Sequence, residues 1–283
     1  MKVYRTTRGA ILCHDEKYFI SPMAWDELIN RDNLHSFLLM LMDRLPPEPG
    51  LASRLQQGLL PPIGSQEVWA AGVTYRRSKE ARMEESKTSG SDSFYDKVYD
   101  AERPELFFKA APGRTVGHGD TIHIRRDSSW NVPEPELTLF INSNGKIAGY
   151  TIGNDVSSRS IEGENPLYLP QAKNYDRSAA LGPCLMVSSD PISPSTKIAM
   201  SITREGQVLY NDHVQIDKMK RSHNELASWL FRECTFPNGC FLMTGTCLVP
   251  PNDFTLQPGD RVDIAIDGIG TLTNMVGRRK TNE

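Results

Sequence analysis

Three acidic residues stand at positions where their carboxylates can act together. Glu134 and Glu136 lie two residues apart in VPEPELTLF, so both side chains can point to the same face of one extended strand. An isolated pair of this kind is most often a solvated strand edge, but this pair leads directly into the apolar run LTLF. Because two like charges side by side destabilise a bare sheet surface, we expect a positive charge between them.

A third carboxylate, Asp155, follows the next apolar run in GYTIGNDVSSRS. The segment INSNGKIAG between the two runs contains Asn-Gly, which supplies the positive φ angles of a tight hairpin turn. If the runs pair antiparallel, Glu136 and Asp155 become neighbours. Three oxygen ligands without a nearby Cys or His pair favour Mg²⁺, with Mn²⁺ or Ca²⁺ as alternatives, and leave up to about three positions where a 2-oxo acid can chelate.

The elements that must position these residues are mostly short strands. From Leu106 onward, extended runs are punctuated by Gly, Pro, Asn and Asp, EVWAAGV is an earlier buried strand, and helical spacing returns over residues 222–231. Helical spacing from Trp25 to Leu45 indicates a small leading portion. We therefore predict an α+β fold that is predominantly β, with a small N-terminal region over residues 1–62 and a catalytic domain over residues 63–283.

The charge-dense segment of residues 76–100 has a Gly/Ser centre, SKTSGSDS. This composition is typical of either a mobile active-site lid or a plain surface loop. The sequence leaves both interpretations open.

Composition and motifs exclude several other classes of function. The net charge of -3 gives no broad electropositive surface for a nucleic acid or an anionic membrane. No apolar run approaches the roughly 18 residues of a membrane span, the start lacks a secretory signal pattern, and no Gly-rich nucleotide-binding motif occurs. The five cysteines are scattered, without the spacing of a disulfide framework. These features favour a cytoplasmic protein that acts on a small molecule.

Several sequence blocks, taken in order, resemble the fumarylacetoacetate hydrolase superfamily. They are AAGVTYRRS, PELFFKA, VPEPELTLFIN, GYTIGNDVSSRS, AKNYDRSAALGPCL, TGTCLVPP and QPGDRVDIAIDGIGTLTNMV. The resemblance extends from about Val68 to Val276. It implies a β-roll of mixed sheets and assembly as a homodimer or homotetramer.

The resemblance also implies roles for individual residues. The family's metal ligands fall on the same three carboxylates, and the lysine of its K-x-[FY]-D block falls on Lys173, which would hold substrate and metal ligands in place. A simple salt bridge to those carboxylates is the alternative role for this lysine. The late Gly-Thr pair falls on Gly245 and Thr246, which are expected at the carboxylate or oxo group of the substrate. Tyr75 of the G-x-x-Y pattern and Lys109 of PELFFKA are further candidates for substrate binding.

One departure from the hydrolase pattern bears on the reaction. Hydrolases of the family usually carry a histidine shortly after the tyrosine and a glutamate three residues later, a pair that activates water. Ser78 and Ala81 occupy these positions here. Hydrolysis of a carbon–carbon bond is therefore disfavoured, and Ser78 is left as a candidate for substrate binding.

Other features resemble the branch of the family that dehydrates 2-keto-3-deoxy sugar acids. They include GVTYRRSKEARMEES, the LVPP that follows Gly245-Thr246-Cys247, and the acid Glu105. The C3 proton of a metal-chelated 2-oxo acid is acidic, so Glu105 would remove it as the catalytic acid/base before the C4 hydroxyl leaves. From 2-keto-3-deoxy-D-arabinonate, in sugar-acid catabolism, the product is 2,5-dioxopentanoate. The alternative is that Glu105 is a surface acid in AERPELF.

Two further hypotheses use the same residues. An acylpyruvate- or fumarylacetoacetate-type hydrolase, or an oxo-acid decarboxylase, would work with the same metal site. A protein of another class, a non-catalytic module that binds a metal and a keto acid, would keep the site without turnover. The complete set of carboxylates and the added acid favour an enzyme.

Overall fold

The computed structural model describes residues 1–55, 57–77 and 92–280, with residues 92–95 described by their backbone alone. Ser78 and most of the segment of residues 76–100, interpreted as either a lid or a surface loop, lie outside these ranges. The strands, numbered in chain order, are β1 Lys2–Thr6, β2 Gly9–His14, β3 Lys17–Ser21, β4 Leu59–Leu60, β5 Glu67–Gly72, β6 Glu105–Ala110, β7 Thr115–Val116, β8 Thr121–His123, β9 Asn131–Val132, β10 Pro135–Ile141, β11 Ile147–Asp155, β12 Ser157–Ser158, β13 Ala179–Met186, β14 Lys197–Arg204, β15 Gln207–Gln215, β16 Cys240–Met243, β17 Arg261–Ile266 and β18 Gly270–Gly277. The helices are Trp25–Ile29, Leu34–Met42, Leu51–Arg54, Asp92–Asp100, Arg159–Glu164, Leu169–Lys173 and His223–Leu230.

An eleven-stranded mixed sheet forms the centre of the molecule. Its path runs β3-β2-β1-β13-β11-β10-β16-β5-β6, with β4 beside β1 and β7 beside β13. Its two faces pack into separate apolar clusters, so that Leu139 of β10 lies in one and the next residue, Phe140, in the other. Burial on both faces explains why β10 is apolar along most of its length.

A second sheet of five strands, in the order β15-β14-β17-β18-β8, covers one of these clusters. The N-terminal helices pack into the other cluster through Leu28, Leu34 and Leu38. The prediction of an α+β fold that is predominantly β, with mixed sheets, is confirmed.

The direction of the strands brings several strand ends to one edge of the large sheet. β10 and β11 form the predicted antiparallel hairpin, in which Glu136 lies opposite Gly153. β16 runs antiparallel to β10 and parallel to β5, and β6 runs antiparallel to β5. The starts of β6 and β10 therefore meet the ends of β5, β11 and β16.

The first sixty residues contribute strands to this same sheet. β1 pairs with β13, and β4 pairs with β1. A division between residues 1–62 and 63–283 therefore falls within one continuous sheet, and the domain boundary stays a prediction.

The predicted helical stretch from Trp25 to Leu45 is two helices, Trp25–Ile29 and Leu34–Met42. The break between them contains Asp32, whose carboxylate accepts hydrogen bonds from Asn142 and Asn144 and pairs with Lys146 at 2.6 Å. The interruption therefore anchors the β10–β11 turn. The second predicted helix is confirmed as His223–Leu230, where the Ser222 hydroxyl caps the N-terminus by accepting from the Glu225 N–H.

Among the described residues, no helix combines the length and the apolar character needed to cross a membrane.

Candidate metal centre and active site

Three carboxylates meet where β10 begins and β11 ends. Glu134 immediately precedes β10, Glu136 is the second residue of β10, and Asp155 is the last residue of β11. The Asp155 N–H donates to the Glu134 carbonyl at 2.9 Å, which fixes the two ends side by side. Each carboxylate offers an oxygen within 4.8 Å of the others, and all three are buried. The hairpin thus brings together the three residues selected as metal ligands.

Two lysines and an arginine surround this carboxylate triad. Lys173, at the end of a short helix, lies 2.6 Å from Glu134 Oε2 and 3.0 Å from Asp155 Oδ2. Lys109, from β6, lies 2.6 Å from Asp155 Oδ1, and Arg159 lies 2.8 Å from Glu134 Oε1. All three cationic side chains are buried. They neutralise much of the charge that the strand ends bring together.

Sequence reasoning missed Arg159 and its neighbour Glu162. Both are 2 % exposed, on the helix that follows Asp155 by a few residues, and Glu162 also lies 3.4 Å from the Lys173 ammonium. The signal was present as an arginine and a glutamate three residues apart in SSRSIEGE, directly after the third ligand. A spacing of three residues places them on one helix face, but it does not reveal that the face is buried.

The charges of the site leave room for a cation. Among the described residues, four buried carboxylates, with Glu162 added to the triad, face three buried cationic groups, so this set of groups carries a formal charge of minus one. Within the described part of the chain, Glu136 forms no salt bridge, and its Oε2 accepts the Gly245 N–H at 2.6 Å. A buried carboxylate without a cation is costly. Together with the all-oxygen donor set, this fits a hard divalent ion such as Mg²⁺.

The surroundings move the pKa values of these groups in opposite directions. Burial, with the nearby charges of Asp155 and Glu134, raises the pKa of Glu136 well above its ordinary value. Burial alone would also raise the pKa of Asp155, but Lys109 and Lys173 outweigh it and lower that pKa. Burial lowers the pKa of Lys109 despite its pairing with Asp155. Of Glu136 and Asp155, Glu136 is therefore the one that holds a proton more readily when no cation is bound.

The segment after β16 brings the Gly-Thr pair to the triad. Gly245 has a φ of +98°, and a Cβ there would lie 2.0 Å from Thr74 Oγ1. The Thr74 hydroxyl itself donates to the Thr244 carbonyl at 2.7 Å. Only glycine fits this close approach, and it places its N–H on Glu136. Thr246 lines the same small cavity as the three carboxylates.

Tyr75 and Lys109, the other described candidates for substrate binding, are both buried. Burial and the nearby Cys247 and Glu136 raise the pKa of Tyr75. The Lys109 ammonium contacts Asp155 and also donates to the carbonyls of Val156 and Lys173. Since its three donors all have protein acceptors, the geometry favours a role in positioning Asp155, and substrate contact by Lys109 stays a prediction.

Glu105 begins β6 opposite Gly72, the last residue of β5. Its carboxylate lies directly over that glycine, because a Cβ on Gly72 would come within 1.9 Å of Glu105 Oε2. Gly72 lines the cavity of the triad, which has a volume of about 20 Å³, room for an ion or a water molecule. Glu105 also lines a second cavity of about 560 Å³, together with Lys97, Val98, Ala101, Arg103, Pro166 and Leu169. The glutamate therefore contacts Gly72 of the small cavity and itself lines the larger one.

Because the pKa of Glu136 is raised, binding of a divalent ion should release a proton wherever Glu136 is protonated in the ion-free protein. The apparent affinity for Mg²⁺ should therefore rise with pH until Glu136 is ionised in the ion-free protein. Titration calorimetry in two buffers of different ionisation enthalpy measures the number of protons released when Mg²⁺ binds. Glu136→Gln should weaken binding and abolish the release, whereas Asp32→Asn, at the far hairpin turn, should change neither. Proton-neutral binding by the wild type would contradict this assignment.

Gly245→Ala should destabilise the fold by about 1–3 kcal/mol and weaken Mg²⁺ binding, since the new methyl group displaces Thr74 or the N–H that holds Glu136. Gly206→Ala is the matched control, because its φ is +81° and nothing lies within 4 Å of the added Cβ. It should lower stability through the backbone alone and leave Mg²⁺ affinity unchanged. Urea unfolding and a metal titration separate the two effects, and equal losses of affinity in both variants would sink the prediction.

Comparison with known proteins identifies the family of this chain. The model of the fumarylacetoacetate (FAA) hydrolase C-terminal family matches residues 67–277. A probable 2-keto-3-deoxyxylonate dehydratase of Haloferax volcanii is 55% identical over 216 residues, 76% of this chain and 73% of that protein. The 2-dehydro-3-deoxy-D-arabinonate dehydratase of Saccharolobus solfataricus is 47% identical over 222 residues, 77% of this chain and 74% of that protein.

A solved structure of 2-keto-3-deoxy-D-arabinonate dehydratase, complexed with magnesium and 2,5-dioxopentanoate, is 36% identical to this chain. It superposes with a TM-score of 0.84 over 99% of this chain and 100% of the other. The family match, the sequence identity and the shared fold cover the strands that carry the triad. The chain belongs to the fumarylacetoacetate hydrolase family.

Proposed function

We propose that this protein is a Mg²⁺-dependent dehydratase of 2-keto-3-deoxy sugar acids. Its substrate is of the kind of 2-keto-3-deoxy-D-arabinonate, and its product is then 2,5-dioxopentanoate. The observation that carries the proposal is the buried carboxylate triad, whose oxygens lie within 4.8 Å of one another, beside a separate acid, Glu105. Relatives at 47% and 55% identity bear dehydratase names, which supports the same reaction type.

The triad of Glu134, Glu136 and Asp155 would hold the ion. Bound Mg²⁺ would act as a Lewis acid on the chelated 2-oxo carboxylate and so acidify the protons on C3. With the ion present, the formal charge of the site changes from minus one to plus one, which attracts an anionic substrate. Lys173 and Arg159 hold Glu134 in place, and Gly245 holds Glu136.

Thr246 is proposed to bind the carboxylate or oxo group of the substrate. It follows Gly245 directly and lines the triad cavity. Glu136 lies near enough to Tyr75 to contribute to the raised pKa of its phenol, which therefore stays protonated. The ion then occupies the small cavity, the chelating head of the substrate lies against the ion, and the hydroxylated tail extends past Glu105 into the larger cavity.

Glu105 is proposed to move the protons of the reaction. It removes a proton from C3, and the electron pair of that bond forms a double bond to C4 as the C4–O bond breaks. The same carboxyl group returns the proton to the departing hydroxyl, which leaves as water. Tautomerisation of the unsaturated product then gives the 2,5-dioxo acid. The position of Glu105 over Gly72, at the junction of the two cavities, suits a substrate with its head at the triad.

The hydrolase alternative requires a group that activates water. The sequence has Ser78 and Ala81 where the family's hydrolases carry histidine and glutamate. Water removal therefore suits this chain better than water addition. Incubation of the purified protein with Mg²⁺ and 2-keto-3-deoxy-D-arabinonate should yield 2,5-dioxopentanoate. Turnover of acylpyruvates alone would favour the hydrolase, and binding without any turnover would favour a non-catalytic module.

Glu105→Gln should lower kcat by about 10²–10⁴-fold and leave Mg²⁺ affinity near that of the wild type, because the amide cannot accept the C3 proton. Glu102→Gln is the matched control, since Glu102 is exposed in the same segment and should retain full activity. Steady-state kinetics and a metal titration give the two readouts. Equal activity of both variants would exclude Glu105 as the acid/base.

We also propose that the enzyme acts in the cytoplasm as a homodimer or homotetramer. The five cysteines are free thiols, which suits a reducing compartment. Leu167 and Val208 are exposed by 83% and 63%, and burial in a subunit interface would remove this apolar surface from water. Light scattering coupled to gel filtration tests the assembly, and a monomer at micromolar concentration would contradict it.

A further inference from the structure

The turn between β5 and Tyr75 holds a valine in a conformation that suits glycine. Val73 has a φ of +54°, in the left-handed region where a β-branched side chain is a strong outlier. Such outliers persist only where the surrounding structure dictates them, and they cluster at functional sites. Glycine would adopt this left-handed backbone conformation without strain. The side chain of Val73 therefore calls for an explanation.

The Val73 side chain is buried, but it lies outside the two apolar clusters of the described residues. It is only 4% exposed. It lines the small cavity of the carboxylate triad, together with Phe107. The strained residue thus contributes an apolar wall to a cavity whose opposite side is charged.

The position of this wall is fixed from both sides. On one side, Gly72 supports the Glu105 carboxylate. On the other, the Thr74 hydroxyl donates to the Thr244 carbonyl, and the Thr74 carbonyl accepts the Lys220 N–H at 2.9 Å. Val73 therefore stands between the acid/base and the segment that holds Glu136.

We propose that Val73, with Phe107, forms the wall against C3 of the substrate and selects 3-deoxy 2-oxo acids over 3-hydroxy ones. This rests on the proposed function, because Glu105 can act on C3 only if C3 lies beside Gly72. A methylene group at C3 packs against the isopropyl group of Val73 without losing any hydrogen bond to water. A hydroxyl group that faces this wall is stripped of water, and neither Val73 nor Phe107 offers it a hydrogen bond.

The test compares pyruvate with hydroxypyruvate, two 2-oxo acids that differ only by a hydroxyl on C3. Calorimetry with the Mg²⁺-loaded protein measures both dissociation constants without turnover. Wild-type protein should bind pyruvate about tenfold more tightly or better, the range that an unmatched hydroxyl in an apolar pocket produces. Val73→Thr keeps the shape of the side chain and adds a partner, so the ratio should fall to about threefold or less.

Val3→Thr is the matched control, because Val3 is fully buried in the apolar cluster on the N-terminal side of the sheet. It should lower the melting temperature and leave the binding ratio at the wild-type value. If Val73→Thr does not fold, Val73→Gly takes its place, since glycine suits a φ of +54° and removes the wall. With Val73→Gly, the preference for pyruvate over hydroxypyruvate should also fall to about threefold or less.

A wild-type ratio near one, or one that favours hydroxypyruvate, would overturn the proposal. So would a wild-type ratio that persists in both Val73 variants. The dehydratase assay is a separate measurement. A protein that fails to convert 2-keto-3-deoxy-D-arabinonate but shows the expected binding ratios refutes the proposed reaction and retains Val73 as the C3 selector.

Discussion

Burying three carboxylates within 4.8 Å of one another is the constraint on which much of this structure depends. Like charges at that distance repel strongly once water is excluded, and each loses its hydration. Lys109, Lys173 and Arg159 supply part of the compensation through ion pairs of 2.6–3.0 Å. The remainder is left to a bound cation. Because the buried cations of the described residues are one fewer than the carboxylates around them, the site suits a divalent ion.

The large sheet supplies the means to hold this charge. Each ligand lies on or directly beside a strand that is buried on both faces, so the carboxylates cannot retreat to solvent by a change of rotamer. The β10–β11 hairpin fixes the spacing of the triad, and the parallel pair β5–β16 brings Gly72 and Gly245 to the same edge. Two glycines let the neighbouring groups approach closely, one beneath Glu105 and one against Thr74. Precision at the site thus comes from strand pairing over many residues rather than from loops.

The sequence was informative where the chemistry is local. The Asn-Gly turn and the apolar runs on either side of it were sufficient to predict the hairpin, and the hairpin placed Asp155 beside Glu134 and Glu136. Long-range packing could not be predicted from the sequence in the same way. The burial of Arg159 and Glu162 depends on a helix docking over the strand ends, and the break at Asp32 depends on contacts with residues more than 100 positions away. The joining of the N-terminal strands to the main sheet also depends on a partner strand, β13, that lies far along the chain.

The arrangement around Glu105 shows how one metal scaffold can serve different reactions. The triad prepares a 2-oxo acid for any chemistry that needs an acidified C3 proton or a polarised carbonyl, and the neighbouring groups decide which follows. Here the strand pair β5–β6 places a carboxylate over Gly72 and an apolar residue, Val73, directly after it. A base beside an apolar wall favours proton transfer at carbon and disfavours the positioning of an attacking water molecule. In the proposed mechanism, the choice between elimination and hydrolysis is therefore made at the end of β5, a short distance along the sheet from the carboxylate triad.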